Sequence, residues 1–290
     1  MRKRLAAVLA LAIPALVVAD YPRKELLVEV GDVARLVEAG NVALLDVRPK
    51  KAYDEAHLPK ATWIDADAWA KEFKDGDDVA GWSKRLGEAG LKPALTVLVY
   101  DDDQHRAAAR VWWMLRYWGF PDVRVVHGGW KAYVASGRPA SKEPHKRAAV
   151  EGLDLKREAA RLASKEQLKE ALKAGTWQIV DARSEAEFCG TKEMAKRNGA
   201  VPGALHLEWS DAVDKATGKL KPPAELAALF KQAGIDPKKP TATYCQGGGR
   251  AAMMAFTLEL MGGDPARNYY KSWGEWGNAD DTPVVKPEKK

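Results

Sequence analysis

The residues with most chemical potential are Tyr244-Cys245-Gln246-Gly247-Gly248-Gly249-Arg250-Ala251-Ala252. An apolar stretch, Thr241 to Tyr244, runs into a cysteine, and three glycines and an arginine follow. Ala251 to Met261 then reads as a helix. The order strand, tight loop, helix puts a thiol where backbone N–H groups can turn toward it, at the positive end of a helix dipole. A free thiol near pKa 8.5 is only slightly ionised at neutral pH, and such a setting favours the thiolate. Glycine at 247, 248 and 249 permits positive φ and a close backbone approach to sulfur. Arg250 can pair with the oxygens of an anionic substrate. The expectation is a stabilised thiolate and an anion cradle at one point.

The rest of the chain must present this loop. Its 290 residues suffice for about two domains at roughly 100–200 residues each. The composition, 46% hydrophobic and 30% charged, is that of a soluble globular protein. Of the net charge of +6, three units come from Arg2-Lys3-Arg4, and the remaining excess is too small for a nucleic-acid footprint. Those basic residues precede an apolar run, Leu5 to Val18, of 14 residues, with Pro14 inside it and Ala19 at its end. The pattern predicts a secretory signal peptide over 1–19, cleaved after Ala19, and a periplasmic or secreted mature chain. The run is shorter than the ~20 residues a spanning helix needs, so no stable membrane insertion is expected after cleavage. The cysteines are Cys189 and Cys245. In an oxidising compartment they could pair, but a reactive thiol at 245 and a small buried residue at 189 explain them better.

The second half repeats the first. Trp177 to Arg183 matches the strand Ala43 to Arg48, with Asp181 and Arg183 answering Asp46 and Arg48. Val201-Pro202-Gly203-Ala204 answers Leu58-Pro59-Lys60-Ala61, Tyr244-Cys245 answers Tyr100-Asp101, and Ser272-Trp273 answers Gly129-Trp130. One insertion, Gly190 to Asn198, changes the offset between the halves. Strands alternate with helices in each half, which predicts α/β layers around a mainly parallel central sheet. The division expected is residues 20–140, a linker over 141–156, residues 157–285 and a tail over 286–290, with Ser164 as the N-cap of a helix through Leu172. The Asp-x-Arg pairs are expected to tie loops by ion pairing rather than to take part in chemistry. His57 has no metal-ligand spacing around it and is expected to cap a turn. Trp112, Trp113, Trp118, Trp130, Trp273 and Trp276 read mostly as core, while Trp209 and Trp273 are candidates to line a pocket.

Taken together, Asp46-Val47-Arg48 with His57-Leu58-Pro59, Asp181-Ala182-Arg183 with Val201-Pro202-Gly203-Ala204, Cys245-x-x-Gly248-x-x-Ala251, and Ser272-Trp273-Gly274-Glu275-Trp276-Gly277 before Thr282-Pro283 resemble the tandem-domain rhodanese family of thiosulfate/mercaptopyruvate sulfurtransferases. The resemblance spans nearly the whole chain after residue 20. It implies two rhodanese-like domains, the first a degenerate copy with Asp101 in the thiol's place, the second catalytic. It implies that Cys245 takes a sulfane sulfur from a small donor such as thiosulfate as a persulfide. A thiophilic acceptor, cyanide or a thiol, including a thiol protein, then removes it. Gln246, Gly247, Gly248, Gly249, Arg250 and Ala251 would form the substrate-binding loop, with no metal and no organic cofactor. Thiosulfate-using members often carry a basic loop residue and a further arginine, and Gly247 and Glu187 stand at or near those positions. Glu187 is expected to repel a dianion, with Arg250 and Lys196 or Arg197 supplying the lost charge. A persulfide carrier with little small-donor turnover is the alternative. A cysteine phosphatase is a weaker one, since its loop is commonly C-x₅-R and the spacing here is C-x₄-R.

Overall fold

The computed structural model describes residues 20–289, so the predicted signal peptide lies outside the described residues. The first half holds strand β1 (Leu27–Glu29), helix α1 (Val30–Glu38), β2 (Val42–Asp46), α2 (Lys50–Glu55), β3 (Thr62–Trp63), α3 (Ala66–Phe73), α4 (Val79–Glu88), β4 (Thr96–Tyr100), α5 (Arg106–Tyr117), β5 (Val123–His127) and α6 (Gly129–Ala135). The second holds α7 (Lys165–Ala174), β6 (Gln178–Asp181), α8 (Glu185–Phe188), β7 (Leu205–His206), α9 (Pro223–Ala233), β8 (Thr241–Tyr244), α10 (Gly249–Leu260), β9 (Arg267–Asn268) and α11 (Ser272–Trp276). Ser164 is the N-cap of α7, as the sequence predicts, and with Gln167 it forms a full capping box.

Each half is built on a parallel sheet, ordered β1-β5-β4-β2-β3 in the first and β7-β6-β8-β9 in the second. Fully buried strands such as β2 and β8 read as continuous apolar or β-branched runs because helices cover both faces. The repeat is visible in the register. β2 pairs with β4 from Val42↔Thr96 to Asp46↔Tyr100, and β6 pairs with β8 from Gln178↔Thr241 to Asp181↔Tyr244. The counterpart of β1 in the second half is reduced to a single parallel bridge, Leu162↔Asn268. The segment after each sheet returns as an antiparallel bridge, His57↔Ser141 in one half and Ala200↔Val285 in the other.

The ends of the central strands are locked in the same way twice. Arg48 Nη2 lies 2.6 Å from Asp46 Oδ2, and Arg183 Nη2 lies 2.6 Å from Asp181 Oδ2, both pairs essentially without solvent. Each guanidinium also stacks on an indole, Arg48 on Trp130 at 4.1 Å and Arg183 on Trp273 at 4.3 Å. Arg183 further donates to the Gly199 carbonyl at 2.6 Å, which anchors the inserted segment. Removing one partner of such a buried pair strands the other charge, at a cost of about 3–5 kcal/mol. These locks fix the strand end from which Cys245 emerges. His57 stacks on Tyr53, and its ring nitrogens face the carbonyls of Tyr53 (2.8 Å) and Glu143 (3.0 Å), which tethers the linker.

The halves meet through α5 and α10, which pack along each other. Trp112 meets Phe256 edge-on at 4.9 Å, and Trp113 stacks on Tyr270 at 5.5 Å. Buried Glu259 of α10 accepts from Arg161 at 2.9 Å and from Arg23 at 2.9 Å, so the start of the first half is ionically tied to the second. The consequence for function is positional: the N-terminal ends of α5 and α10 open into the same cleft.

Candidate active site

Cys245 follows β8 directly and is itself nearly solvent-free, at 1% exposure. The sequence folds this way because β8 is spent at Tyr244, whose hydroxyl accepts from the Val201 N–H at 3.1 Å. The chain then turns at Gly248 (φ +81°), the one loop glycine of the three with a left-handed φ. A Cβ at 248 would stand 2.6 Å from Tyr270 Cδ2 and 2.8 Å from the Tyr270 carbonyl, so glycine is required there on two counts. Gly247 and Gly249 do not use the freedom that glycine permits: neither takes a positive φ. A Cβ at Gly247 would meet nothing within 4 Å, whereas one at Gly249 would lie 2.2 Å from Arg110 Nη2.

Ser272 pins the loop. Its hydroxyl accepts from the N–H of Cys245 at 3.0 Å and of Gly248 at 3.2 Å, and donates to the Tyr269 carbonyl at 2.7 Å. Its Oγ sits 3.9 Å from Cys245 Sγ. Ser272 holds a φ of +54°, unusual for a residue with a Cβ, so its own backbone is strained to place this oxygen. The carbonyls of Cys245 and Gln246 are taken by the N–H groups of Trp273 and Gly274. The N–H groups of Gly247 and Gly249 find no acceptor among the described residues and remain available at the loop.

The first half shows what such a loop holds. Asp101 occupies the position of Cys245, and its carboxylate accepts from three backbone N–H groups: Asp103 at 3.1 Å, His105 at 3.0 Å and Ala108 at 2.9 Å. In register, these correspond to Gly247, Gly249 and Ala252; the Ala252 N–H is used by the Gly248 carbonyl. The thiol-lacking copy therefore fills its anion cradle with its own carboxylate. Burial nonetheless pushes the Asp101 carboxyl up to about 6, against those hydrogen bonds.

A pocket of about 340 Å³ opens over Cys245, lined by Arg106, Arg110, Trp209, Cys245, Gln246, Gly247, Gly249 and Arg250. Of the predicted loop set, Gly248 and Ala251 do not line it. Gly248 spends its N–H on Ser272, and Ala251 is buried in the core with its carbonyl accepting from Thr243 Oγ1 at 3.0 Å. Trp209 is at the pocket; Trp273 is fully buried beneath Arg183.

Charge is arranged differently from the sequence expectation. Arg250 forms a two-point pair with Glu187, Nη1 to Oε2 at 2.7 Å and Nη2 to Oε1 at 2.8 Å. Burial alone would raise the Glu187 carboxyl, but hydrogen bonds from Arg250 and Ser184 outweigh it and hold it down to about 2. Burial opposes the charge on Arg250 too, and its partners Glu187 and Cys245 overcome this and raise its pKa. Glu187 therefore neutralises Arg250 rather than facing the donor as a free carboxylate. Lys196 and Arg197 do not supply charge here. The Arg197 guanidinium donates to the Trp276 carbonyl at 3.1 Å and the Thr282 carbonyl at 2.6 Å, fastening the C-terminal segment, and neither residue lines the pocket. Both cysteines are free thiols; burial, followed by Glu185, raises the pKa of Cys189.

The pocket residues that sequence reasoning missed are Arg106 and Arg110. They belong to the half without the thiol, and only the packing of α5 on α10 brings them here. The sequence signal was the basic pair beginning the helix at the matching loop.

Comparison with known proteins agrees with this architecture. The rhodanese-like domain model matches residues 29–136 and again 164–279. A thiosulfate sulfurtransferase of Pseudomonas aeruginosa is 32% identical over 273 residues, covering 92% of this chain and 98% of the relative. A thiosulfate sulfurtransferase of Corynebacterium glutamicum is 34% identical, covering 86% and 84%. The sulfur carrier protein TtuD of Thermus thermophilus is 32% identical, covering 93% and 99%. Among solved structures, the anaerobic ergothioneine biosynthesis enzyme of Chlorobium limicola superposes with a TM-score of 0.83 at 23% identity, over 92% of this chain and 71% of that one. That likeness bears on the fold alone.

Proposed function

The chain belongs to the rhodanese family and is a sulfurtransferase of two tandem domains, and we propose that it works through a persulfide on Cys245. The observation that carries this reading is the cradle. Cys245 stands where Asp101 stands in the first half, and the N–H groups of Gly247 and Gly249 remain open for a second atom carrying negative charge.

The Cys245 thiolate attacks the outer sulfur of a donor such as thiosulfate. The S–S bond of the donor breaks, sulfite leaves with the electron pair, and the terminal sulfur of the new Cys–S–S⁻ keeps the negative charge. The N–H groups of Gly247 and Gly249 and the positive end of α10 stabilise that charge. Cyanide or a thiolate then attacks the terminal sulfur and returns the Cys245 thiolate, which makes the kinetics ping-pong. Exposing the protein to thiosulfate and measuring intact mass should reveal one added sulfur on Cys245. Thiosulfate:cyanide turnover should vanish in Cys245→Ser. Full turnover in that variant would end the proposal.

A second reading, a persulfide carrier that receives sulfur from a partner and passes it to a thiol protein, is favoured by the Glu187–Arg250 pair, which cancels a cation a dianionic donor could use. Persulfide loading without small-donor turnover would select it. From the basic and apolar residues 2–18 we infer export to the periplasm or medium, and fractionation of cells expressing the full chain, with N-terminal sequencing of the mature protein, tests that.

A further inference from the structure

We propose that Arg110, on α5 of the half that lacks the thiol, is the residue that binds the anionic end of the sulfur donor. The inference rests on the persulfide reading above and adds a recognition residue to it. The argument starts from charge. Three arginines line the pocket over Cys245. Arg250 is neutralised by Glu187 at 2.7 Å, and Arg106 by Asp103 at 2.5 Å. Arg110 alone of the three has no carboxylate within 4.0 Å among the described residues, so the pocket's net positive charge sits there.

Geometry agrees with charge. Arg110 Nη2 donates to the Gly247 carbonyl at 3.2 Å, which lays the guanidinium across the cysteine loop. Its Nε is buried and has no hydrogen-bond partner. Gly249 leaves the space that the guanidinium occupies, since a Cβ there would stand 2.2 Å from Nη2. A planar fork of donors in this position suits the oxygens of a sulfonate group, while the outer sulfur faces Cys245. The repeat supplies an internal control. The residue at the matching position of α10 is Met254, which is buried and uncharged, so the second half does not return the cation that α5 extends across the helix pair.

The test separates binding from chemistry. Thiosulfate is titrated calorimetrically into the Cys245→Ser protein with and without Arg110→Gln, and steady-state constants are measured for Arg110→Gln and Arg110→Lys in the Cys245 background. Losing a charged hydrogen-bonding partner should weaken thiosulfate binding, and raise KM, by about 10–100-fold. Turnover at saturation should change little, and lysine, keeping the charge without the fork, should restore part of the affinity. Equal thiosulfate affinity with and without Arg110 would overturn the proposal. So would an equal loss for an uncharged dialkyl trisulfide donor, because that would mean Arg110 only props the Gly247 loop. Failure of the persulfide reading appears separately, as no sulfur on Cys245 in the unsubstituted protein.

Discussion

Glu187→Gln is the most informative single change. The substitution preserves side-chain volume and removes the negative charge that holds Arg250 in its two-point pair at 2.7 and 2.8 Å. Removing the Glu187 charge releases Arg250 toward the donor, and a charge pair at a solvent-open pocket mouth contributes about 0.2–1 kcal/mol. A dianionic donor doubles this to about 0.4–2 kcal/mol, which salt screening keeps below its upper end. The KM for thiosulfate should therefore fall about 2- to 10-fold, at about 1.4 kcal/mol per factor of ten. Stability should move the other way, because a guanidinium that is mostly buried loses its counter-charge, at about 1–3 kcal/mol. The sign of the pH dependence follows from the depressed carboxyl. Held at about 2 against an ordinary 4.5, Glu187 adds stability that is in place above 4.5 and is lost as pH falls toward 2. It stays ionised throughout a neutral assay, so the KM difference between the two proteins should be flat from about pH 6 to 8. Thiosulfate:cyanide kinetics and a thermal melt on both proteins read the two effects. An unchanged or raised KM in a folded Glu187→Gln protein would refute the charge argument.

Other perturbations test the scaffold. Ser272→Ala removes the acceptor shared by the Cys245 and Gly248 N–H groups, so at about 1–3 kcal/mol per stranded buried donor the melting temperature and the rate of persulfide formation should both drop; normal loading kinetics would show that the hydroxyl does not hold the loop. Gly248→Ala meets both a left-handed φ and the Tyr270 backbone, and should cost at least about 2 kcal/mol by denaturant titration, while Gly247→Ala, facing open space, should stay within about 1 kcal/mol; equal costs would contradict the loop geometry. Glu259→Ala strands buried Arg161 and should cost about 3–5 kcal/mol, with faster proteolysis between the halves; an unchanged denaturation midpoint would mean the ion cluster is not what ties them.

What the sequence made legible follows from what is local. The strand–loop–helix at Cys245, the N-cap at Ser164 and the paired Asp-x-Arg segments are each written within a few residues, and each is found as read. At the three loop glycines, composition signals conformational freedom but not its use: one turn needs a left-handed residue, and the other two glycines face open space and a neighbouring guanidinium. Lys196 and Arg197 looked like substrate charge because they sit in a basic insertion. Backbone carbonyls at the C-terminal segment took the Arg197 guanidinium instead, a contact 79 and 85 residues away in sequence. Arg110 was invisible as a site residue for the same reason, since its partner Gly247 lies 137 residues on.

The duplication explains why the missing residues come from the first half. Two similar halves packed through equivalent helices, α5 and α10, bring both helix N-termini to the same cleft. Asp101 fills one cradle with its own carboxylate, which takes three backbone N–H groups. Cys245 leaves the other cradle one atom short, with the Gly247 and Gly249 N–H groups waiting. The same asymmetry runs through charge, because α5 offers Arg110 to the thiol's pocket while α10 returns only buried Met254. If Arg110 binds the donor as proposed, the half without the thiol contributes to the binding site. Separating the two halves should abolish donor binding even where the second half keeps Cys245 folded in its loop.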